Sequence, residues 1–164
     1  YAAILAEESP VPGLLSKVRD LAEQKKDVEV FSVIARTVVR GVPDSHLIRL
    51  ILFSALESHE LSDMFFQNHI RVFYDFLAGY IQQRIDEGAF QPVPSMVAAR
   101  SFMGMLIYHR LLTVLFHAPL PNTPEDISQT FVTIMMNGLK IPSPKLPSLP
   151  LRKKRNPQKR TTRN

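Results

Sequence analysis

Apolar residues recur three and four positions apart along most of the chain, a period that predicts helices and almost nothing else. Residues 1–8 read as the end of one helix, closed before Pro10 and Pro12, since proline is poorly tolerated inside a helix. Residues 14–24 carry Leu14, Val18 and Leu21 on one face, and residues 28–40 carry Val30, Phe31, Ile34 and Val38. Gly41 and Pro43 stop that second segment. Asp44 or Ser45 can cap a helix running to about Ser58 through Leu47, Ile48, Ile51, Leu52 and Ala55.

The longest expected helix covers 60–87. Phe66, Ile70, Phe73, Leu77 and Ile81 form its stripe, with Phe65, Phe76 and Tyr80 on one flank and Gly88 just past its end. Ser95 opens a helix over 96–117 that is apolar around its whole circumference, so it must be covered on more than one side. The strongest start signal follows: Thr123 as N-cap, Pro124 at the first helical position, Glu125 and Asp126 in the first turn. That last helix ends at Leu139 and also has a wide apolar arc. Residues 141–164 change character. Pro142, Pro144, Pro147 and Pro150 favour extended polyproline conformation, a basic run without periodicity follows, and the segment reads as a disordered tail. The expected fold class is all-α, with one domain over 9–140.

Charge sharpens this division. The 164 residues carry 20 Lys and Arg against 15 Asp and Glu, a net charge of +5. Nine of the basic residues and none of the acids lie in 140–164, so residues 1–139 hold a net −4. The basic character belongs to the tail, where Arg152–Arg155 is open to two readings, a solvated terminus or a contact to nucleic-acid phosphate or anionic lipid without sequence preference. The chain has no Cys, which excludes disulfide scaffolds, thiol catalysis and zinc fingers, and its six Gly do not form a phosphate loop. No uncharged apolar run approaches the ~18 residues of a membrane span.

Two wide apolar faces on adjacent helices exceed what a bundle this small can bury, which predicts a homodimer in which the last two helices of each copy form a four-helix contact. Met103, Ile107, Leu111, Val114, Phe131, Ile134, Met135 and Leu139 are the candidate interface residues. A pocket is the second expectation. His69, Phe73, Phe76 and Tyr80 from the long helix, with Phe102, Met105, His109 and Arg110 across the bundle, mix aromatic and Met surface with a few polar tips. The same residues also suit an ordinary aromatic core. Arg100 and Arg110 interrupt an apolar helix, so each must reach water, pair with a carboxylate or bind an anionic ligand.

Several short runs then suggest a family. Asp44-Ser45-His46-Leu47-Ile48-Arg49-Leu50-Ile51-Leu52-Phe53-Ser54-Ala55-Leu56-Glu57, followed by His59-Glu60-Leu61-Ser62, resembles the approach to the long helix in tetracycline-repressor (TetR) family regulators. Glu87-Gly88-Ala89-Phe90 resembles that family's helix-ending turn, Val97-Ala98-Ala99-Arg100 with Gly104 its next helix, and Met136-Asn137-Gly138-Leu139 its close. The resemblance extends over about residues 1–139. It implies a C-terminal ligand-binding and dimerisation domain of six to seven helices, lacking the N-terminal helix-turn-helix to which residues 1–8 would connect. It further implies a cytoplasmic homodimeric regulator, usually a repressor, that responds to a small-molecule effector. Operator DNA would be reached only through the missing module.

Catalytic and metal chemistry find no foothold in the sequence. His59 and Asp63 share a helix face but lack a third ligand with clear spacing, no Glu-x-x-His pair exists, and Ser54, Ser58 and Ser101 have no partners placed for a triad. The expectation is no enzyme activity, no metal and no cofactor. Two other classes stay open: a helical protein-interaction module without a ligand, and a helical-bundle enzyme.

Overall fold

The structure, a computed structural model, describes residues 11–41 and 66–141 together with positions 56, 63 and 64. Every regular element among them is helical: α1 (Val11–Glu23), α2 (Asp27–Arg40), a π-helical turn (Phe66–Ile70) leading directly into α3 (Arg71–Asp86), α4 (Ser95–Leu115) and α5 (Pro124–Leu139). The helices expected over 1–8 and 44–58, the motif at 44–62 and the tail after Ile141 fall outside the described residues, apart from Leu56. None of the described helices is long and apolar enough to cross a membrane.

Helix α2 is the centre of the bundle. Val30, Phe31, Ile34, Ala35 and Val39 recur at helical spacing and are all buried. The helix packs most extensively on α5, then on α1 and α4, while α3 packs on α4. Phe31 and Phe102 are fully buried and meet edge to face with ring centroids 5.1 Å apart. Phe90, from the turn after α3, lies 6.5 Å from Phe31 and closes that end of the core.

Local chemistry accounts for most helix ends. Helix α1 begins three residues before the expected Leu14, because Pro12 falls in the first turn, where no N–H is required. Asp27 and Glu29 place negative charge in the first turn of α2. Gly41 ends α2 at φ +47°, its N–H donating to the Thr37 carbonyl. Gly88 ends α3 at φ +73°, and the Gly88, Ala89 and Phe90 amides turn back to the carbonyls of Ile85 and Arg84. Beyond that turn, the Gln91 N–H donates to the Leu139 carbonyl at 2.9 Å and the Gln91 side-chain amide donates to the Gly138 carbonyl. The turn after α3 therefore caps the end of α5.

At the start of α5 the Thr123 hydroxyl oxygen accepts the Asp126 N–H at 3.1 Å and donates to the Asp126 carboxylate at 2.7 Å. Arg36 and Arg40 of α2 pair with Glu125 in the same turn, at 2.8 and 3.6 Å. Thr123→Ala leaves the Asp126 amide without its cap and is expected to cost about 1 kcal/mol in urea unfolding. Thr123→Ser should retain most of that stability, whereas equal losses in the two variants would show that the hydroxyl is not the cap.

The stripe expected on the long helix holds for Phe73, Leu77 and Ile81, all buried, and changes at its N-terminal end. Phe66 is 40% exposed and Ile70 only partly covered. The π-turn is the reason: its wider winding takes up more residues per turn, so positions before Arg71 no longer fall on the α-helical line. Sequence periodicity assumes a constant 100° per residue and cannot see such a shift.

Candidate functional site

The expected pocket residues do not meet in one place. Phe73 and Phe102 are core residues, 4% and 0% exposed. Met105 is partly buried against the same core. His109 packs edge to face on Phe131, with centroids 5.9 Å apart, so it belongs to the seam between α4 and α5. Burial, and then Arg110 beside it, lowers its pKa below the ordinary imidazole value. Arg110 is 8% exposed and reaches across to the end of α2, one guanidinium nitrogen 3.5 Å from the Val39 carbonyl and the group lying directly over Gly41. Burial lowers its pKa. Positive charge there complements the C-terminal end of α2, so this arginine locks two helices together. Arg100 is exposed and stands 6.0 Å from the Tyr74 ring centre. His69 falls within the π-turn, and its side chain lies outside the described residues.

Phe76 and Tyr80 do line a concave surface, but it lies between α1 and α3 and not between α3 and α4. This groove measures about 570 Å³, within the range of small-molecule sites. Ala22 from α1 and Gly79 from α3 form its floor, and a Cβ built on Gly79 meets nothing within 4 Å. The helices leave a gap where two side chains would otherwise interlock. Arg19 and Glu23 border it from α1, and Asp75 and Gln83 from α3. The Arg19 guanidinium stands 5.9 Å from the Phe76 ring centre.

A polar network fixes the Tyr80 end of this groove. The Tyr80 hydroxyl donates to Asp27, and Asp27 takes two further bonds from Arg84, each 2.9 Å. Arg84 continues to Glu87, which Lys25 meets at 2.9 Å. Burial, followed by the bond to Asp27, raises the Tyr80 pKa well above the ordinary phenol value, and the Asp27 bonds raise that of Arg84. Hydrogen bonds from Lys25, Gln83 and Arg84 pull the Glu87 carboxyl from 4.5 to about 2. A depressed carboxyl pKa stabilises the fold above the unfolded value and ceases to do so as pH falls through the folded one. Glu87 therefore contributes stability at pH 5 that is lost between about pH 4.5 and 2. Urea unfolding of Glu87→Gln against the unmodified chain should show a gap at pH 5 that closes by pH 2; a constant gap would dismiss the ionic contribution.

The expected interface residues also divide. Met103, Met135 and Leu139 are 9%, 6% and 3% exposed and fill the chain's own core; Met135 and Leu139 do so because α5 packs most extensively on α2. Leu111, Val114 and Phe131 are half-buried, whereas Ile107 and Ile134 stand out at 38% and 52% exposed. Sequence reasoning missed Val97 and Tyr108, 61% and 63% exposed on the same side of α4, and Phe116, 70% exposed at its end. The signal was present: Val97, Ser101, Gly104, Tyr108, Leu111 and Leu115 recur at intervals of three and four. Along this outward stripe Ser101 and Gly104 make a shallow dip between Val97 and Tyr108, and a Cβ on Gly104 meets nothing within 4 Å.

Among the described residues no group of three His, Cys, Asp or Glu side chains is arranged to hold a metal. Compared with protein-family models, with curated proteins and with solved structures, the chain finds no match.

Proposed function

We propose that this chain is the effector-sensing and homodimerising part of a TetR-like transcriptional regulator, one whose DNA binding responds to a small apolar or aromatic ligand. The observation that carries this reading is the outward face of α4: Val97 and Tyr108 are exposed on one side of a long helix, with Ile107 exposed on the flank, and its opposite face is fully committed to the core. Apolar surface grouped in this way is a mark of association. The face suits a second copy of itself. An antiparallel pair crossing near Gly104 sets Tyr108 of each copy over the Ser101–Gly104 dip of the other, so the two halves of the stripe are mutually complementary. The α1–α3 groove supplies a concave surface for such a ligand. Regulation would be a population shift, with ligand favouring a dimer geometry that no longer matches two adjacent half-sites.

Tyr108→Glu puts a charge in the middle of the α4 face and is expected to convert a dimer to a monomer in light scattering, with unchanged helix content. An unmodified chain that is already monomeric at 100 µM would overturn the homodimer and favour a different protein as the partner of this face. The regulatory half of the proposal is tested in the encoding gene: without a helix-turn-helix ahead of Tyr1, it fails.

A further inference from the structure

The groove between α1 and α3 presents two charges of opposite sign that form no ion pair among the described residues. Arg19 and Glu23 lie one turn apart on α1, the spacing at which such side chains ordinarily pair. They do not pair: neither makes a hydrogen bond or ion pair among the described residues, and the Arg19 guanidinium turns instead to the face of Phe76. The neighbouring polar groups are engaged. The Tyr80 hydroxyl donates to Asp27, the Gln83 amide donates to Glu87 at 3.1 Å, and Asp75 lies 3.7 Å from Arg71. Between the two free charges the floor is apolar and open, since Gly79 contributes no side chain there.

We propose that this groove binds a zwitterionic aromatic compound of the α-amino-acid class. Arg19 takes the carboxylate through its planar fork, Glu23 takes the ammonium, and the aromatic ring lies over Gly79 against Phe76 and Tyr80. The charge pattern selects this class over simpler ones. A purely anionic aromatic satisfies Arg19 but meets Glu23 and Asp75 as like charges, and a purely cationic one leaves Arg19 opposing it. A zwitterion pairs both groups at once and leaves neither charge facing an apolar ring alone. The proposal rests on the effector-sensing reading above and gives that effector a chemical class and a place.

Calorimetric titration of the full chain with L-tryptophan, 3-phenylpropanoate and phenethylamine tests it, the last two lacking the ammonium and the carboxylate respectively. Tryptophan is expected to bind at least tenfold more tightly than either half-ligand. Arg19→Met should weaken tryptophan and phenylpropanoate at least tenfold and leave phenethylamine binding as tightly or more tightly, and Glu23→Gln should weaken tryptophan and phenethylamine and leave phenylpropanoate binding as tightly or more tightly. Gly79→Leu fills the open floor and should abolish binding of all three; because its side chain enters free space on an exposed helix position, its melting temperature should stay within a few degrees. No tryptophan binding to the folded chain at 10 mM, or binding indifferent to both Arg19→Met and Gly79→Leu, overturns the proposal. If tryptophan fails while a half-ligand binds and raises the melting temperature, the zwitterion falls and the sensing reading stands. If no compound binds and the chain is monomeric, both fall.

Discussion

Phe31→Ala is expected to destabilise the chain by about 3–5 kcal/mol, lowering the melting temperature by roughly 10–15 °C. Phe31 is fully buried at the point where α2 meets both α4 and the turn after α3, touching Phe102 edge to face and Phe90 at an angle. Alanine removes a ring whose aromatic neighbours come from two other elements, and those elements cannot both move inward together. The loss therefore combines transfer free energy with a cavity that does not collapse. A domain of ordinary stability holds only ~5–15 kcal/mol in total, so this single ring is a large share. Urea unfolding should show a lower midpoint with an unchanged slope. A double-mutant cycle with Phe102→Ala should give a coupling of about 0.5–1.5 kcal/mol for the ring pair. A loss under 1 kcal/mol in the single variant would mean that Phe31 is not central to the core.

Gly41→Ala is the second large effect, expected at about 2–4 kcal/mol from two separable causes. The residue sits at φ +47° and ψ 177°, a region open essentially to glycine alone. A Cβ at this position would also lie 2.4 Å from an Arg110 guanidinium nitrogen and 2.6 Å from its central carbon. That guanidinium is buried, so it cannot swing into water to make room without giving up its place over the end of α2. In an Arg110→Met background the contact is removed and only the backbone cost, about 1–3 kcal/mol, should persist. Equal losses in the two backgrounds would show that crowding plays no part.

These two residues also show what sequence can and cannot convey. Gly41 was legible as a helix stop, because apolar periodicity ends there and a proline follows shortly after. Its contact with Arg110, 69 positions later, was not, since no local pattern encodes which side chain will lie over a turn. The five described helices, the Thr123 cap and the Gly88 turn could be read ahead because each depends on residues within a few positions of one another. The π-turn could not, as it changes the winding on which periodicity depends. Phe76 and Tyr80, expected to face the helix over 96–117, line a groove with α1 instead. Helical phase shows which residues share a face and leaves open which element that face meets. The division of α5 was hidden for the same reason: its wide arc suggested a subunit contact, whereas α2 takes most of it and leaves Ile134 outside.

The pairing of α2 with α5 has a consequence for the order in which the chain can mature. The face of α2 that packs on α5 gains its cover from a helix that ends at Leu139, about a hundred residues downstream. At a synthesis rate of ~5–20 residues per second, this apolar face waits for roughly 5–20 s before its partner exists. Of the described helices, α1 and then α4 can cover α2 over that interval. Nascent chains stalled before Pro124 should accordingly engage chaperones and bind hydrophobic dyes, and release through Leu139 should end both.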